Sequence, residues 1–88
     1  MLTRAFSGRA GRTIATSYAK AAAAPGTPKP APYPVQRGLT QAMRNRALAD
    51  NDFDRMQAWA GQSARLAPSR AAAEVVRDLW DGARSLFD

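Results

Sequence analysis

Cysteine and histidine are both absent from the 88 residues. Without Cys there is no disulfide and no thiolate metal site. Without His the commonest general base and metal ligand are gone. Large apolar side chains are scarce as well. Leu, Ile, Val and Phe together number 13, whereas Ala supplies 20 of the 40 hydrophobic residues. That share lies below the roughly 20% at which disorder becomes the expectation. A chain this short must bury about two-thirds of its surface to fold alone, so the composition predicts partial order or dependence on another surface. No apolar run approaches the ~18 residues of a membrane span. Any catalysis would have to use carboxylates, Tyr, Lys or a bound cofactor.

Acid is missing from one half of the chain. Residues 1–49 carry eight basic side chains and no acidic one, while residues 50–88 carry five basic and seven acidic ones. Three regions follow. Residues 1–24 form a basic segment with a short helix expected around residues 12–22. Rich in Arg, Ser and Thr, this segment resembles a mitochondrial transit peptide taken alone. As a nucleic-acid arm it is poor: Phe6 and Tyr18 are its only aromatics and no binding motif is present, so no nucleic-acid partner is expected. Residues 25–34, "PGTPKPAPYP", hold five of the six prolines. Fixed φ angles and missing N–H donors exclude helix there and predict an extended connector. Its PxxP spacing reads as linker before it reads as an SH3 ligand.

Residues 35–88 read as a helical region, making the chain mainly α, with three to four short helices. Val35, Leu39, Met43 and Ala47 recur every fourth residue and predict one apolar face. "DNDFDRMQAWAG" (50–61) offers an Asp or Asn cap, acid in the first turn and Gly61 as a stop, which predicts a second helix. A third begins after Pro68 with Ser69 as the expected cap. Ala72, Val75, Val76, Leu79, Trp80, Ala83, Leu86 and Phe87 form its apolar stripe, opposite mixed charge. This stripe has too little partner surface within the chain.

No catalytic constellation and no metal site emerge. Asp50, Asp52 and Asp54 lack the glycine and distal Glu of a calcium loop. "SGRAGR" (7–12) lacks the spacing of a phosphate loop.

Four motifs nevertheless stand in a familiar order: "TRAFSGRAGR" (3–12), "PYP" (32–34), "DFDRMQAWAGQSARL" (52–66) and "RAAAEVVRDL" (70–79). Together they resemble the carboxyl-terminal region of the FMN-dependent nitronate monooxygenases, once called 2-nitropropane dioxygenases. The resemblance covers nearly all of residues 2–87. It implies a fragment of a TIM-barrel flavoenzyme whose FMN phosphate loops and catalytic His lie upstream. It also implies FMN in the full-length enzyme but none held by this chain alone, and an upstream barrel portion as the missing partner. The family reaction is the oxidation of alkyl nitronates by flavin and O2 to a carbonyl compound and nitrite, and a cytoplasmic location goes with it.

In some members a Tyr of the Y-P loop, a Tyr four residues later and a Lys eight residues later approach the substrate. By spacing these positions are Tyr33, Arg37 and Gln41, so only the first is retained. Arg37 is either an anion contact or a surface arginine at a helix start. For the remaining motif residues structural roles are expected. Trp59 packs a helix end and Gly61 takes a positive φ at a helix stop. Gln62 caps neighbouring backbone or faces the flavin, and Arg9 and Arg12 tie the segment to the barrel through carboxylates or carbonyls. The alternative to an enzyme fragment is a small basic helical module that meets a protein or a membrane surface.

Overall fold

The computed structural model describes residues 1–87. Its elements, in order, are strands β1 (Leu2–Thr3) and β2 (Gly11–Arg12) and helices α1 (Ser17–Ala23), α2 (Val35–Leu39), α3 (Gln41–Ala49) and α4 (Ala72–Ser85). Single 3₁₀ turns at Phe53–Arg55 and Ala64–Leu66 interrupt the chain between α3 and α4. The mainly helical expectation holds. The antiparallel β1–β2 ladder, pairing Leu2 with Arg12 and Thr3 with Gly11, was not foreseen. A two-residue strand leaves no alternation to read.

The core is built on the turn between these strands. Phe6 is fully buried, flanked by the ring of Tyr18 at 5.1 Å and, edge-on, that of Trp59 at 5.6 Å. Such tilted aromatic contacts add to simple area burial. Around Phe6 lie Ala5, Ala19 and Ala47, with the buried hydroxyls of Thr13, Thr16 and Thr40. Each hydroxyl has a role. Thr16 caps α1 by accepting from the Ala19 N–H at 3.3 Å. Thr13 donates to the Ala58 carbonyl at 3.0 Å, and Thr40 donates to the Phe6 carbonyl at 2.6 Å. Buried polar groups satisfied in this way cost little and fix relative positions. A core poor in Leu and Val is therefore closed by aromatics, alanines and threonines.

Thr40 also marks where residues 35–49 divide into two helices. With its hydroxyl drawn to Phe6, it sits between α2 and α3 as the boundary of both. The apolar face anticipated for this region is a correction. Val35 and Leu39 are 55% and 70% exposed, whereas Gln36 and Thr40 face inward with Ala47. In α2 the inward phase is one residue off, whereas in α3 the anticipated Met43 and Ala47 do lie inward and Leu48 is exposed. Polar side chains took the inward positions because unpaired carbonyls of the turn needed donors.

Residues 50–61 depart further from expectation. Asp52 pairs with Arg55 at 2.7 Å instead of capping a helix, and only the 3₁₀ turn forms. The chain then runs extended: Ile14 donates to the Ala58 carbonyl at 3.0 Å and Ala60 to the Arg12 carbonyl at 3.0 Å, with Thr13 and Trp59 bridged. Pairing with the chain after β2 outcompetes local helix. Nor does Ser69 cap α4, whose N-cap is Ala71 without a side-chain bond. Arg70 instead reaches Asp78 on the first turns of the helix.

α4 stands away from this core. The molecule measures 55 × 25 × 23 Å with a radius of gyration of 16.9 Å, where a compact chain of this length would have about 12 Å. Along α4, Val76, Leu79 and Trp80 are 65%, 70% and 63% exposed. This is the unpartnered stripe that the sequence pattern anticipates.

One tie in the core region is pH-sensitive. Asp54 accepts from the Ser17 hydroxyl at 2.7 Å, across the first turn of α1. Bonds from the side chain and backbone of Ser17, then the charges of Arg55 and Lys20, hold its carboxyl below the ordinary 3.8. A carboxyl lowered in the native state adds stability above its unfolded value and loses it as pH falls through the native one. In urea titrations from pH 6 down to about pH 3, the midpoint should fall less steeply for Asp54→Asn than for the native chain. Identical slopes would remove Asp54 from the acid response.

Candidate functional site

The candidate site lies where the loop of residues 7–9 meets the Pro32–Tyr33 segment. Gly8 makes this junction possible. Its φ is +92°, a region that side-chain-bearing residues avoid, and it is buried against the connector. An added Cβ would lie 2.7 Å from the Pro32 carbonyl carbon and 2.8 Å from the Ala31 oxygen. Only glycine fits there. The loop is further closed by Gly8 N–H donating to the Arg4 carbonyl at 2.9 Å. Arg4 Nη1 reaches the Gly8 carbonyl at 3.2 Å, and the Arg9 N–H donates to Ser7 Oγ at 3.2 Å.

On this platform Arg9 is brought to Tyr33. Its guanidinium carbon sits 4.1 Å from the centroid of the Tyr33 ring, within cation–π range. Among the described residues its partner is an aromatic face, and no carboxylate of these residues pairs with it. Tyr33 is 40% exposed and stands in the turn that ends the connector, joined to Pro34 by a cis peptide.

The other positions matched to substrate contacts lie on α2 and α3. The Arg37 side chain is exposed, and its carbonyl accepts from Arg44 Nη2 at 3.0 Å. Gln41 is tied down by two bonds, accepting from Arg44 Nη2 at 3.0 Å and donating to Asn45 at 3.0 Å. Arg44 thus anchors both positions. The sequence reading missed it, although an arginine one turn beyond Gln41 and two turns beyond Arg37 was a signal. Gln36 was missed too. It bridges the Ala5 carbonyl, to which Nε2 donates at 2.8 Å, and the Ala31 N–H, which donates to Oε1 at 3.0 Å. Tyr18 donates to the same Ala5 carbonyl at 2.9 Å, and burial pushes its phenol above the ordinary 10.0.

The W-A-G-Q turn supports the opposite side of the loop. Trp59 does not pack a helix end. Its ring covers the Gly11 backbone, where an added Cβ would approach Cζ3 to 2.8 Å, and its edge meets Phe6. The expected positive φ at Gly61 is also corrected: Gly8 and Gly26 are the positive-φ glycines, and Gly61 follows an extended segment, not a helix. Arg12 contributes its carbonyl to Ala60, while its side chain is exposed. Gln62 is exposed beside a cleft of about 380 Å³ shared with Arg12, Thr13 and Arg65. A second open cleft, of about 500 Å³, runs between Arg9, Arg12 and Trp59.

The two glycine turns at Gly8 and Gly11 do not offer FMN a phosphate loop. A glycine-type phosphate loop needs backbone N–H groups on an open wall. Here the space beside Gly8 is filled by Ala31 and Pro32, and that beside Gly11 by the Trp59 ring. Among the described residues no cluster of three metal-ligating side chains exists.

Comparison with known proteins gives a consistent picture. The family model described as nitronate monooxygenase matches residues 1–82. A nitronate monooxygenase of Paraburkholderia phytofirmans is 42% identical over 77 residues, which is 88% of this chain and 21% of that protein. One from Pseudomonas aeruginosa is 40% identical over 83 residues, 94% of this chain and 24% of that protein. A probable nitronate monooxygenase of Bacillus subtilis is 41% identical over 64 residues, 73% of this chain and 18% of that protein. The chain therefore spans less than a quarter of the length of these relatives. No solved structure matches it.

The junction itself is testable through its glycines. Gly8→Ala combines a positive-φ cost with a backbone collision, whereas Gly26, at φ +81°, has open space around an added Cβ. Gly8→Ala should cost at least about 2 kcal/mol in urea unfolding followed by Trp fluorescence, and Gly26→Ala about 1 kcal/mol. Equal losses would show that the Gly8–Pro32 contact is not tight.

Proposed function

The chain belongs to the nitronate monooxygenase family, and from that premise we propose that it serves as the carboxyl-terminal part of such a flavoenzyme. In this reading an upstream barrel portion holds FMN, and this chain closes the substrate end of the pocket with Tyr33 and Arg37. The reaction is that of the family, oxidation of an alkyl nitronate with O2 to a carbonyl compound and nitrite, and the chain alone is inactive. Tyr33 presents a phenol at the mouth, and Arg37 an exposed guanidinium one helical turn on, where it attracts the anionic nitronate. Gln41, bonded to Arg44 and Asn45, supports the helix face instead of reaching substrate. Arg12, Trp59, Gly61 and Gln62 shape the loop that carries Arg9.

The observation that carries this reading is the bare apolar face of α4 on a chain whose residues 1–82 match the family. A 14-residue amphipathic helix gains most of its stability from packing that face. Docking against the barrel portion supplies that packing. A cytoplasmic location accords with this role, and no described helix is long and apolar enough to cross a membrane. The exposed stripe also supports the alternative, a module for a protein or membrane surface. The polar side of α4 alternates Glu74, Arg77, Asp78, Asp81 and Arg84, which lacks the basic excess of a helix that binds anionic lipid.

The test is complementation. The Paraburkholderia phytofirmans relative, shortened by its matching terminal segment and loaded with FMN, is mixed with this chain, and nitrite release from a nitronate is followed. Activity should require both pieces, and Trp80→Ala should weaken association at least about tenfold. Nitrite release by this chain alone, or binding unaffected by Trp80→Ala, would overturn the reading.

A further inference from the structure

We propose that Arg9 is a positioning residue for Tyr33: its stacked guanidinium selects the orientation of the phenol ring and so the direction in which the hydroxyl faces. The inference rests on the reading of Tyr33 as the substrate-facing tyrosine, and deepens it by naming what holds that side chain in place.

Three observations support it. First, the Tyr33 backbone is fixed but its side chain is not. Residues 31–33 are pressed on Gly8, and Ala31 is bonded to Gln36, yet among the described residues the Tyr33 hydroxyl makes no hydrogen bond and the ring is 40% exposed. A half-exposed Tyr on a fixed backbone samples more than one χ1 well unless a neighbour favours one. Second, the Arg9 guanidinium, 4.1 Å from the ring centroid, is such a neighbour, and among the described residues it forms no ion pair that would draw it elsewhere. Third, Arg9 starts from a locked backbone. The Gly8 turn, the Arg9 N–H bond to Ser7 Oγ and the Arg4 clamp on the Gly8 carbonyl aim its side chain across the connector. The "SGR" triplet thus has a division of labour: Ser7 closes the turn, Gly8 permits the close approach, and Arg9 covers the ring.

An Arg suits this position better than a Lys. A planar guanidinium stacks flat on a phenol and keeps its in-plane N–H donors available, whereas an ammonium presents a compact, strongly hydrated charge. At a partly exposed site the contact should favour the stacked rotamer roughly two- to five-fold.

The test uses nuclear magnetic resonance of the full chain. Arg9 δ-methylene protons should be shifted upfield by the Tyr33 ring current, and should show nuclear Overhauser contacts to the ring. Three-bond couplings to Cγ report the Tyr33 χ1 populations. Arg9→Ala should lower the dominant Tyr33 rotamer's ratio to the others roughly two- to five-fold, while the amide shifts of Phe6, Ala31 and Gln36 stay in place as the control for folding. Arg9→Lys should restore part of the preference. Unshifted Arg9 protons in the native chain would overturn the proposal, as would Tyr33 populations unchanged in Arg9→Ala. The underlying reading is judged separately by Tyr33→Phe in the complemented enzyme. If turnover there is unaltered while the ring-current signature persists, the substrate role of Tyr33 fails and the Arg9 contact stands.

Discussion

The buried bond from the Thr40 hydroxyl to the Phe6 carbonyl, with the two bonds that Tyr18 and Gln36 make to the carbonyl of Ala5, holds this small chain together. A tight turn buried in a core exposes backbone acceptors that water cannot reach, and each must find a donor or cost the fold dearly. Here the donors come from α1, the start of α2 and the α2–α3 boundary. Satisfying two adjacent carbonyls therefore fixes three separate segments around one aromatic side chain. Hydrophobic burial alone would not do so in a chain whose apolar content is half alanine.

From that hub the site follows. With Phe6 fixed, the loop of residues 7–9 is carried against the connector, and Gly8 lets the two backbones meet. Arg9 then reaches Tyr33, and Trp59 closes the loop from the other side over Gly11. Motifs far apart in sequence thus prove to be parts of one assembly: the segment 3–12 meets the Y-P loop at Gly8 and Arg9 and the W-A-G-Q turn at Phe6 and Gly11. α4 takes no part in it. Its apolar stripe meets no surface among residues 1–87.

Much of this was legible in the sequence, for identifiable reasons. The long periodic stripe of α4 exceeds any local competition, so its existence and its lack of a partner could be read directly. Prolines at 25, 28, 30, 32 and 34 excluded helix from the connector in the same way. Residues 50–61 were misread because their acidic start and terminal Gly fit a helix, while the pairing of residues 58–60 with residues 12–14 is non-local and leaves no trace in a window. The inward phase of residues 35–40 was misread because an apolar pattern ignores carbonyls that need donors, and Gln36 and Thr40 answer that need, whereas Met43 and Ala47 lie inward as anticipated. The positions of Tyr33 and Arg37 came from resemblance and spacing, whereas the Arg9–Tyr33 contact required the Gly8 turn to be seen in three dimensions.

Native-state amide hydrogen exchange on the chain alone tests the central claim most directly, that one buried hub sustains the fold and α4 lies outside it. The amides of Gly8, Thr13, Ile14, Thr40 and Ala60 all donate to backbone carbonyls around the hub. They should exchange with a common opening free energy, as one cooperative unit. Those in the middle of α4 should exchange far faster, since an isolated 14-residue helix is marginal in water. Protection in α4 equal to that around Phe6, or hub amides opening independently of one another, would contradict the account.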